Sequence, residues 1–356
     1  MKALYFGTYD LASPRNTQVI SCLRRAGVTV VERHREVWGR HNWSVGLSQL
    51  ARVVRAEGSL ARRQEDGADV IVVGYPGHFD IPAARRAARG RPVVFNPLVS
   101  LHDTLVGDRA RFRPRSSAAG ILRVVDNGAF RGADLVVADT EAHAAFFRRT
   151  FGLPPERVSV ALVGADEPLF RPGWHPPAPF HVLFVGKLIP LHGLETILAA
   201  AALVPEVPFR VVGDGQLAAL LDRRPANVDH VPWIPYADLP EAYRGAGCAL
   251  GIFGTGDKAA RVIPNKVFQA LACARPVITA DTPAVRELLT DGVDALLVPP
   301  GDPAALAVAV RRLVADGDLA AGLARAGRGT FEARASEEVL GARWLALLEQ
   351  ATAGRR

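Results

Sequence analysis

Lysine is rare in this chain, and three of its four lysines lie in or beside short segments that contain glycine or proline. One of them, Lys266, stands in RVIPNKVFQALA, where Pro264 is followed by an apolar, helix-like stretch. Proline suits the first turn of a helix, because the N–H that it lacks has no partner there. Backbone N–H groups from Asn265 onward can then face an anion, and Lys266 adds a mobile charge. The segment predicts a phosphate site, although an ordinary capped helix has the same pattern.

Two glycine-containing loops of the same half follow strand-like runs. In VGKLIPLHG, residues 185–193, Lys187 leaves a strand while the next helix directs its N-terminus into the same space, which favours phosphate. A surface lysine explains this pattern about as well. In VVGDGQLAALL, residues 211–221, the glycines permit a tight turn, but Ala218 stands where a dinucleotide fingerprint has its third glycine. Nicotinamide binding is therefore not indicated, and a plain turn between strand and helix remains the alternative.

Polar side chains also follow strand-like runs in the first half. In LVSLHDTLVGDR, residues 98–109, a loop would let His102 or Asp103 orient or deprotonate a hydroxyl group. A turn-stabilising aspartate is the other interpretation. Two more loops, FGTYDLASPRN and GYPGHFD, could contact an acceptor or a phosphate, or could be plain loops; their candidates are Gly7, Arg15, His78 and Asp80.

Several other chemistries find no support in the sequence. Residues 316–318 read Asp-Gly-Asp, the pattern of metal-dependent nucleotide-sugar enzymes, but no strand precedes them, so we expect a turn between two helices. The nine histidines show no metal-ligand spacing. Neither a Gly-x-Ser-x-Gly elbow nor a P-loop is present.

These loops need strands and helices to position them, and apolar runs alternate with helix-like stretches along the chain. Unbroken β-branched runs of this kind predict parallel sheets that are covered on both faces. The segment PLFRPGWHPPAPF, residues 168–180, holds five prolines and marks a boundary. The alternation then restarts, which predicts a second doubly wound unit. Two such sheets facing each other would leave a cleft at the carboxyl ends of their strands.

Length and composition indicate a two-domain protein. The 356 residues exceed the roughly 250–300 at which single cores divide. The first residues read as a strand rather than a signal peptide, and no apolar run approaches the ~18 residues of a membrane span, so we expect a cytoplasmic protein. Residues 1–172 hold 25 basic and 17 acidic side chains, which leaves open a phosphorylated or lipid-linked acceptor and a membrane surface as partners. Nucleic acid is not expected, because aromatic residues are only 7% of the chain.

Taken in order, the motifs resemble a retaining family 4 glycosyltransferase with two Rossmann-like domains (the GT-B fold), of a subgroup with an I-P-N-K turn. The resemblance rests on VGKLIPLHG, VVGDG, IPNKVFQALA, RPVITAD and DGVDALLVPPGD, within residues 181–301. It implies an acceptor domain at residues 1–170 and a donor domain at 171–335. A final helix at 336–356 would pack back toward the first domain. Such enzymes move a sugar from a nucleotide-diphosphate donor to a hydroxyl group, typically with no metal and no further cofactor.

The sequence departs from the family pattern at several positions. Lys187 occupies the place of a family arginine, and His192 that of a lysine, so one permanent charge becomes titratable. The family's paired glutamates align with Arg261 and Gln269, neither of which is acidic. Gln269 could still hold a ribose through neutral hydrogen bonds, and members with this type of turn also lack the first glutamate.

The resemblance implies that Lys187 and Lys266 stabilise the departing diphosphate, while Asp103 or His102 orients the acceptor hydroxyl. The residues expected at the donor are Gly186, His192, Gly213, Asp214, Gly215, Trp233, Arg261, Ile263, Pro264, Asn265 and Gln269. Two other functions remain open on the same fold. They are a binding protein or partner subunit without turnover, suggested by the missing glutamates, and a nucleotide-sugar epimerase.

Overall fold

The computed structural model describes residues 1–11, 13–37, 47–62, 67–173 and 179–354. The described chain divides into two compact units, one made of Met1–Leu162 with Glu337–Arg356 and the other of Val163–Ser336. Each unit holds a six-stranded parallel sheet with helices, which confirms the predicted pair of doubly wound α/β units. The middle of the proline-rich segment, residues 174–178, lies outside the described residues.

The first unit has the strand order β2-β1-β3-β4-β5-β6. Its three central strands are fully buried, as expected of apolar runs covered on both faces. Because β1 pairs with both β2 and β3, the loops after β1 and β3 meet at a topological switch point. The elements are β1 (Lys2–Gly7), α1 (Pro14–Arg25), β2 (Thr29–His34), α2 (Leu47–Leu60), β3 (Val70–Val73), α3 (Ile81–Ala88), β4 (Val93–Phe95), α4 (Ser117–Gly132), β5 (Leu135–Ala138), α5 (Glu141–Phe151) and β6 (Val158–Val160).

The second unit has the strand order β12-β11-β10-β7-β8-β9. Strand β7 pairs with both β8 and β10, so its switch point lies between β7 and β10. The loops after these two strands are joined by a hydrogen bond from the Phe253 N–H to the His192 carbonyl, 3.1 Å long. The elements are β7 (Val182–Val185), α6 (Leu194–Leu203), β8 (Phe209–Val212), β9 (Val228–Val231), α7 (Leu239–Gly245), β10 (Cys248–Leu250), α8 (Asn265–Ala272), β11 (Val277–Ala280), β12 (Leu296–Val298), α9 (Pro303–Ala315) and α10 (Gly317–Ala335).

The last helix, α11 (Glu337–Ala353), packs against α1 of the first unit. Gly341 lies so close to α1 that a Cβ atom there would be 2.6 Å from the carbonyl oxygen of Cys22. Trp344 is buried, and the Arg15 guanidinium lies 5.7 Å from the centre of its indole ring. The C-terminal helix therefore completes the apolar core of the first unit.

The structure tests the local predictions for three short segments. The stretch LAALLDRR reads as a helix in the sequence but forms a 3₁₀ segment, Ala218–Arg223. This segment ends where Pro225 favours an extended conformation for Arg224. The loop predicted at residues 98–109 contains a π-helical turn, Asp103–Asp108, in which the Arg109 N–H donates to the Thr104 carbonyl. The Asp-Gly-Asp turn is confirmed, since Asp316 ends α9 and its carboxylate caps α10 by accepting from the Leu319 N–H at 2.8 Å.

Candidate functional site

Lys266 lies in the first turn of α8, and its ammonium group is buried against strand β7. The side chain is 6% exposed, and Nζ lies 3.8 Å from the centre of the Phe184 ring. Among the described residues, Nζ has no hydrogen-bond partner. Burial lowers the pKa of Lys266 well below its ordinary value. Burial disfavours the charged form of an amine that has no hydrogen-bond partner, and an anion bound beside it could supply that partner.

Two glycines make room for this arrangement. Gly186 follows β7 with a φ of +151°, and a Cβ atom there would be 2.6 Å from Nζ of Lys266 and 3.2 Å from Cε1 of His192. Gly213 follows β8 with a φ of +141°, and a Cβ atom there would overlap the carbonyl oxygen of Gly186. The two glycine loops thus pack backbone against backbone. The structure therefore brings together four predicted residues, Gly186, His192, Gly213 and Lys266.

His192 is buried beside the same loop. Its Nδ1 hydrogen-bonds the carbonyl oxygen of Lys187, and because a carbonyl only accepts, Nδ1 carries the hydrogen. The ring lies 5.7 Å from Phe184, centre to centre, in an edge contact. Lys187 itself is exposed. Lys266 therefore lies over the Phe184 ring, and His192 contacts that ring in an edge arrangement. The sequence did not predict that Phe184 contributes to this site. The sequence signal for the position of Phe184 is the VLFV strand, because residues two apart in a strand, here Val182 and Phe184, lie on the same face.

The remaining donor-side candidates divide by exposure. Trp233, after β9, is 73% exposed, while Ile263 is 2% exposed and belongs to the core. Asp214 is exposed and accepts a hydrogen bond from the Gly215 N–H at 2.7 Å. The others are partly buried around the start of α8: Arg261 ends a 3₁₀ turn (Ala259–Arg261), Pro264 is the N-cap residue, and Asn265 begins the helix.

Gln269 is buried between α8 and the α7 region rather than facing the glycine loops. Its side-chain oxygen accepts a hydrogen bond from the Tyr243 hydroxyl at 3.1 Å. Burial raises the pKa of Tyr236 to about 12, with the charge of Asp166 acting in the same direction and a hydrogen bond from Gln269 acting against it. The amide therefore joins two tyrosines, which the sequence reasoning did not foresee. The expected ribose contact would have to compete with these bonds.

In the first unit, His102 immediately precedes the π-helical turn, and Asp103 is the first residue of that turn. Both are partly buried. Nε2 of His102 accepts a hydrogen bond from Nε of Arg123 on α4, 3.1 Å long. The backbone N–H of Asp103 donates to the Ser100 hydroxyl at 3.0 Å. The segment is thus held by α4 and by its own serine, and the His102 ring keeps a partly exposed face.

The other acceptor-side candidates point into the first unit. Arg15 is 1% exposed, and its guanidinium donates to the Asn96 side chain and to the Leu162 carbonyl. Asp80 is fully buried and accepts from both the N–H and the hydroxyl of Thr8 at 2.8 Å. At Gly7, with a φ of +129°, the Asp80 carboxylate fills the space that a Cβ atom would need. Asp80 therefore holds the backbone after β1 at the switch point, while Arg15 links Asn96 after β4 to the backbone after β6.

His78 is also buried, at 3% exposure. Its Nε2 hydrogen-bonds the Val99 carbonyl at 3.0 Å and lies 3.5 Å from Oδ1 of Asp126. Burial lowers the pKa of His78, against the opposing charge of Asp126. His78 thus supports the start of the segment that carries His102.

The described residues contain no group of three histidine, cysteine or carboxylate side chains arranged to hold a metal ion. None of the helices in the described ranges combines the length and apolar character that crossing a bilayer requires.

The fold is the GT-B fold of solved glycosyltransferase structures. A sucrose-phosphate synthase from Thermosynechococcus elongatus superposes with a TM-score of 0.74 at 18% identity, covering 99% of both chains. Alr3699/HepE from Anabaena, solved with UDP and glucose, gives 0.71 at 20% identity, covering 98% of this chain and 99% of that one. At such low identity these likenesses concern the fold.

Two family models match the chain in succession. Residues 9–164 match a glycosyl transferase 4-like domain, and residues 179–316 match the model described as glycosyl transferases group 1. The chain is therefore built from two glycosyltransferase domains. A D-inositol 3-phosphate glycosyltransferase from Geodermatophilus obscurus is 28% identical in an alignment 327 positions long, which covers 78% of this chain and 69% of the relative. Alignments with other proteins of that name cover about half of their length.

Proposed function

We propose that this protein is a retaining, metal-independent glycosyltransferase that moves a hexosyl group from a nucleotide-diphosphate sugar to an acceptor hydroxyl. The observation that carries the proposal is the buried amine of Lys266 beside Gly186, which has no hydrogen-bond partner in the described part of the chain. It lies at the switch point of the second unit, the edge of an α/β sheet where ligands bind. A diphosphate there would supply the missing counter-charge.

The chemistry follows from where charge develops. When the bond between the anomeric carbon and the diphosphate breaks, its electron pair passes to the diphosphate. The acceptor oxygen forms the new bond to that carbon, and the hydroxyl proton passes to the departing diphosphate oxygen. Cations already in place at the departing oxygens stabilise this transition state without reorganisation. Lys266 and the first backbone N–H groups of α8 fill this role, and Lys187 supplies a second, exposed cation.

The donor class has support from the comparisons. Alr3699/HepE, which shares the fold over nearly its whole length, was solved with UDP and with UDP-glucose. We therefore propose a nucleoside diphosphate sugar as donor, with uridine nucleotides as the first to test. Gly213, Asp214, Gly215 and Trp233 follow β8 and β9, and these loops would meet the nucleoside part.

An anionic acceptor fits the charge of the first unit. Basic residues outnumber acidic ones by 25 to 17 in residues 1–172, and the named relative is a glycosyltransferase of an inositol phosphate. We assign the acceptor to the loop that carries His102 and Asp103. Phosphorylated polyols are the first compounds to test.

A membrane surface is the other anionic partner that a specific observation favours. Residues 109–131 hold six arginines and a single acidic residue, Asp126, which is buried. On α4, Ile121 and Val124 are 63% and 73% exposed. Arginines around an exposed apolar pair suit contact with anionic headgroups.

The proposed function is tested by turnover. The protein is incubated with nucleotide sugars and phosphorylated polyols, and the products are followed by mass spectrometry. Lys266→Ala should lower turnover roughly 10²-fold or more, the size of effect seen when one preorganised donor is removed from a charged transition state. Lys2→Ala, in the other unit, is the matched control and should leave turnover unchanged.

Equal turnover of the Lys266→Ala and wild-type proteins would contradict the assignment. The same experiment distinguishes the two alternative functions, a non-catalytic binding protein and an epimerase. Binding of the donor without turnover across the acceptor panel would favour a non-catalytic partner. Conversion of the donor sugar without any acceptor would favour an epimerase.

A further inference from the structure

One helix of the first unit, α4, holds the segment at residues 100–102 through two side chains three residues apart. Asp126 is fully buried and accepts from the Ser100 hydroxyl at 2.6 Å and from the N–H groups of Leu101 and His102 at 3.0 Å. Arg123, one turn earlier, donates from Nε to Nε2 of His102 at 3.1 Å. The backbone of this segment and the ring of His102 are therefore fixed by the same element.

The bond from Arg123 decides which nitrogen of His102 carries the hydrogen. A guanidinium has donors and no acceptor, so Nε2 must offer its lone pair. In the neutral ring the hydrogen then resides on Nδ1. This is the opposite of the Nε2–H form that an unconstrained imidazole prefers.

The surroundings keep the ring neutral. Burial, and then the charge of Arg123, lower the pKa of His102, while the carboxylates of Asp126 and Asp103 act in the other direction. At neutral pH the ring therefore presents a donor at Nδ1 and an occupied acceptor at Nε2.

We propose that Arg123 is a positioning residue that fixes His102 as its Nδ1–H tautomer, so that His102 donates a hydrogen bond to a substrate oxygen and does not remove a proton. The placement of His102 at the acceptor rests on the proposed function; the tautomer does not. The recognised group is an oxygen with a free lone pair, such as a sugar hydroxyl or a phosphate oxygen. This inference narrows the two roles that the sequence left open for His102 to one.

The tautomer can be read without any substrate. In protein labelled with ¹⁵N-histidine, long-range ¹H–¹⁵N spectra distinguish a protonated Nδ1 from a protonated Nε2, and the His102→Asn variant identifies the His102 signals. The wild-type protein should show hydrogen on Nδ1 at neutral pH. Arg123→Ala should shift the ring toward Nε2–H and raise the pKa of His102, because the donor and its charge are both removed.

Arg115→Ala is the control, because Arg115 is exposed just before α4 and its loss removes a nearby charge without removing this bond. It should leave the tautomer unchanged. Hydrogen on Nε2 in the wild-type protein, or the same tautomer in wild-type and Arg123→Ala proteins, would overturn the inference whether or not the protein turns over a sugar donor.

The turnover of two His102 variants distinguishes a hydrogen-bond donor from a general base at this position. An asparagine side chain can place an N–H near the position of Nδ1 but cannot act as a base. His102→Asn should therefore keep several-fold more turnover than His102→Ala. A general base would cost about 10²–10⁴-fold in both variants, and equal losses of that size would contradict the donor role.

Discussion

Lys266 combines three features at one residue: burial, a missing hydrogen-bond partner and contact with an aromatic ring. Its lowered pKa means that the unfolded chain binds more protons than the folded one. Stability should therefore rise with pH between the lowered pKa and the ordinary value near 10.4. Such a residue lowers the free energy of unfolding of the ligand-free protein, as binding-site residues commonly do.

Replacing this lysine with methionine should stabilise the ligand-free protein. Lys266→Met keeps the length of the side chain and removes the buried, unpartnered amine, whose cost is about 1–3 kcal/mol. Urea unfolding at pH 7 measures the gain in the free energy of unfolding. Lys2→Met, at a partly exposed position in the other unit, should show no comparable gain. A loss of stability in Lys266→Met would mean that the ammonium already has a partner in the folded protein.

At the scale of elements, most strands and helices were predictable because their signals are local. VIVV and VITA are rich in β-branched residues, and they form the buried strands β3 and β11. A local rule also explains where the 3₁₀ segment at residues 218–223 ends, since Pro225 favours an extended Arg224. The site was harder to predict, because Lys266 and Phe184 meet only after β7 and β10 have paired. The order of the loops indicated a phosphate site, while the burial of Arg15 and Asp80 had no local signal.

A buried hydrogen bond joins α7 and α8. Tyr243→Phe removes the hydroxyl that donates to Gln269 and leaves a buried acceptor unsatisfied, which should cost about 1–3 kcal/mol of unfolding free energy. Adding Gln269→Leu removes the unsatisfied oxygen, so the double variant should lose less than the sum of the two single losses. Thermal and urea unfolding of the four proteins measure this coupling. Strictly additive losses would show that the bond contributes nothing.

At the scale of the whole molecule, the chain repeats one design in two units. Each sheet changes strand order next to its first strand, and each places glycine-containing loops at that edge. The units differ in charge, since residues 1–172 carry a net charge of +8 and residues 173–356 carry −1 (18 basic and 19 acidic). This asymmetry underlies the anionic partner proposed for the first unit.

The membrane proposal predicts that the full-length protein sediments with vesicles containing anionic lipid. Binding should weaken in high salt, which screens the arginines, and should be lower for the Ile121→Ser/Val124→Ser double variant. Val308→Ser/Val314→Ser on α9 is the matched control, because those valines are 56% and 45% exposed in the other unit. Equal sedimentation with neutral and anionic vesicles, or equal loss in both double variants, would contradict the proposal.

The central claim is that Lys266, whose pKa is lowered by burial, binds the diphosphate of a nucleotide donor. Isothermal titration calorimetry of UDP binding over a pH series that reaches the ordinary lysine pKa near 10.4, in buffers of different ionisation enthalpy, counts the protons taken up at each pH. The diphosphate should raise the pKa of Lys266, so the wild-type protein should take up more protons than Lys266→Met and bind UDP more tightly, with affinity falling as pH rises. Equal proton uptake and equal affinity in the two proteins would contradict this account of the site.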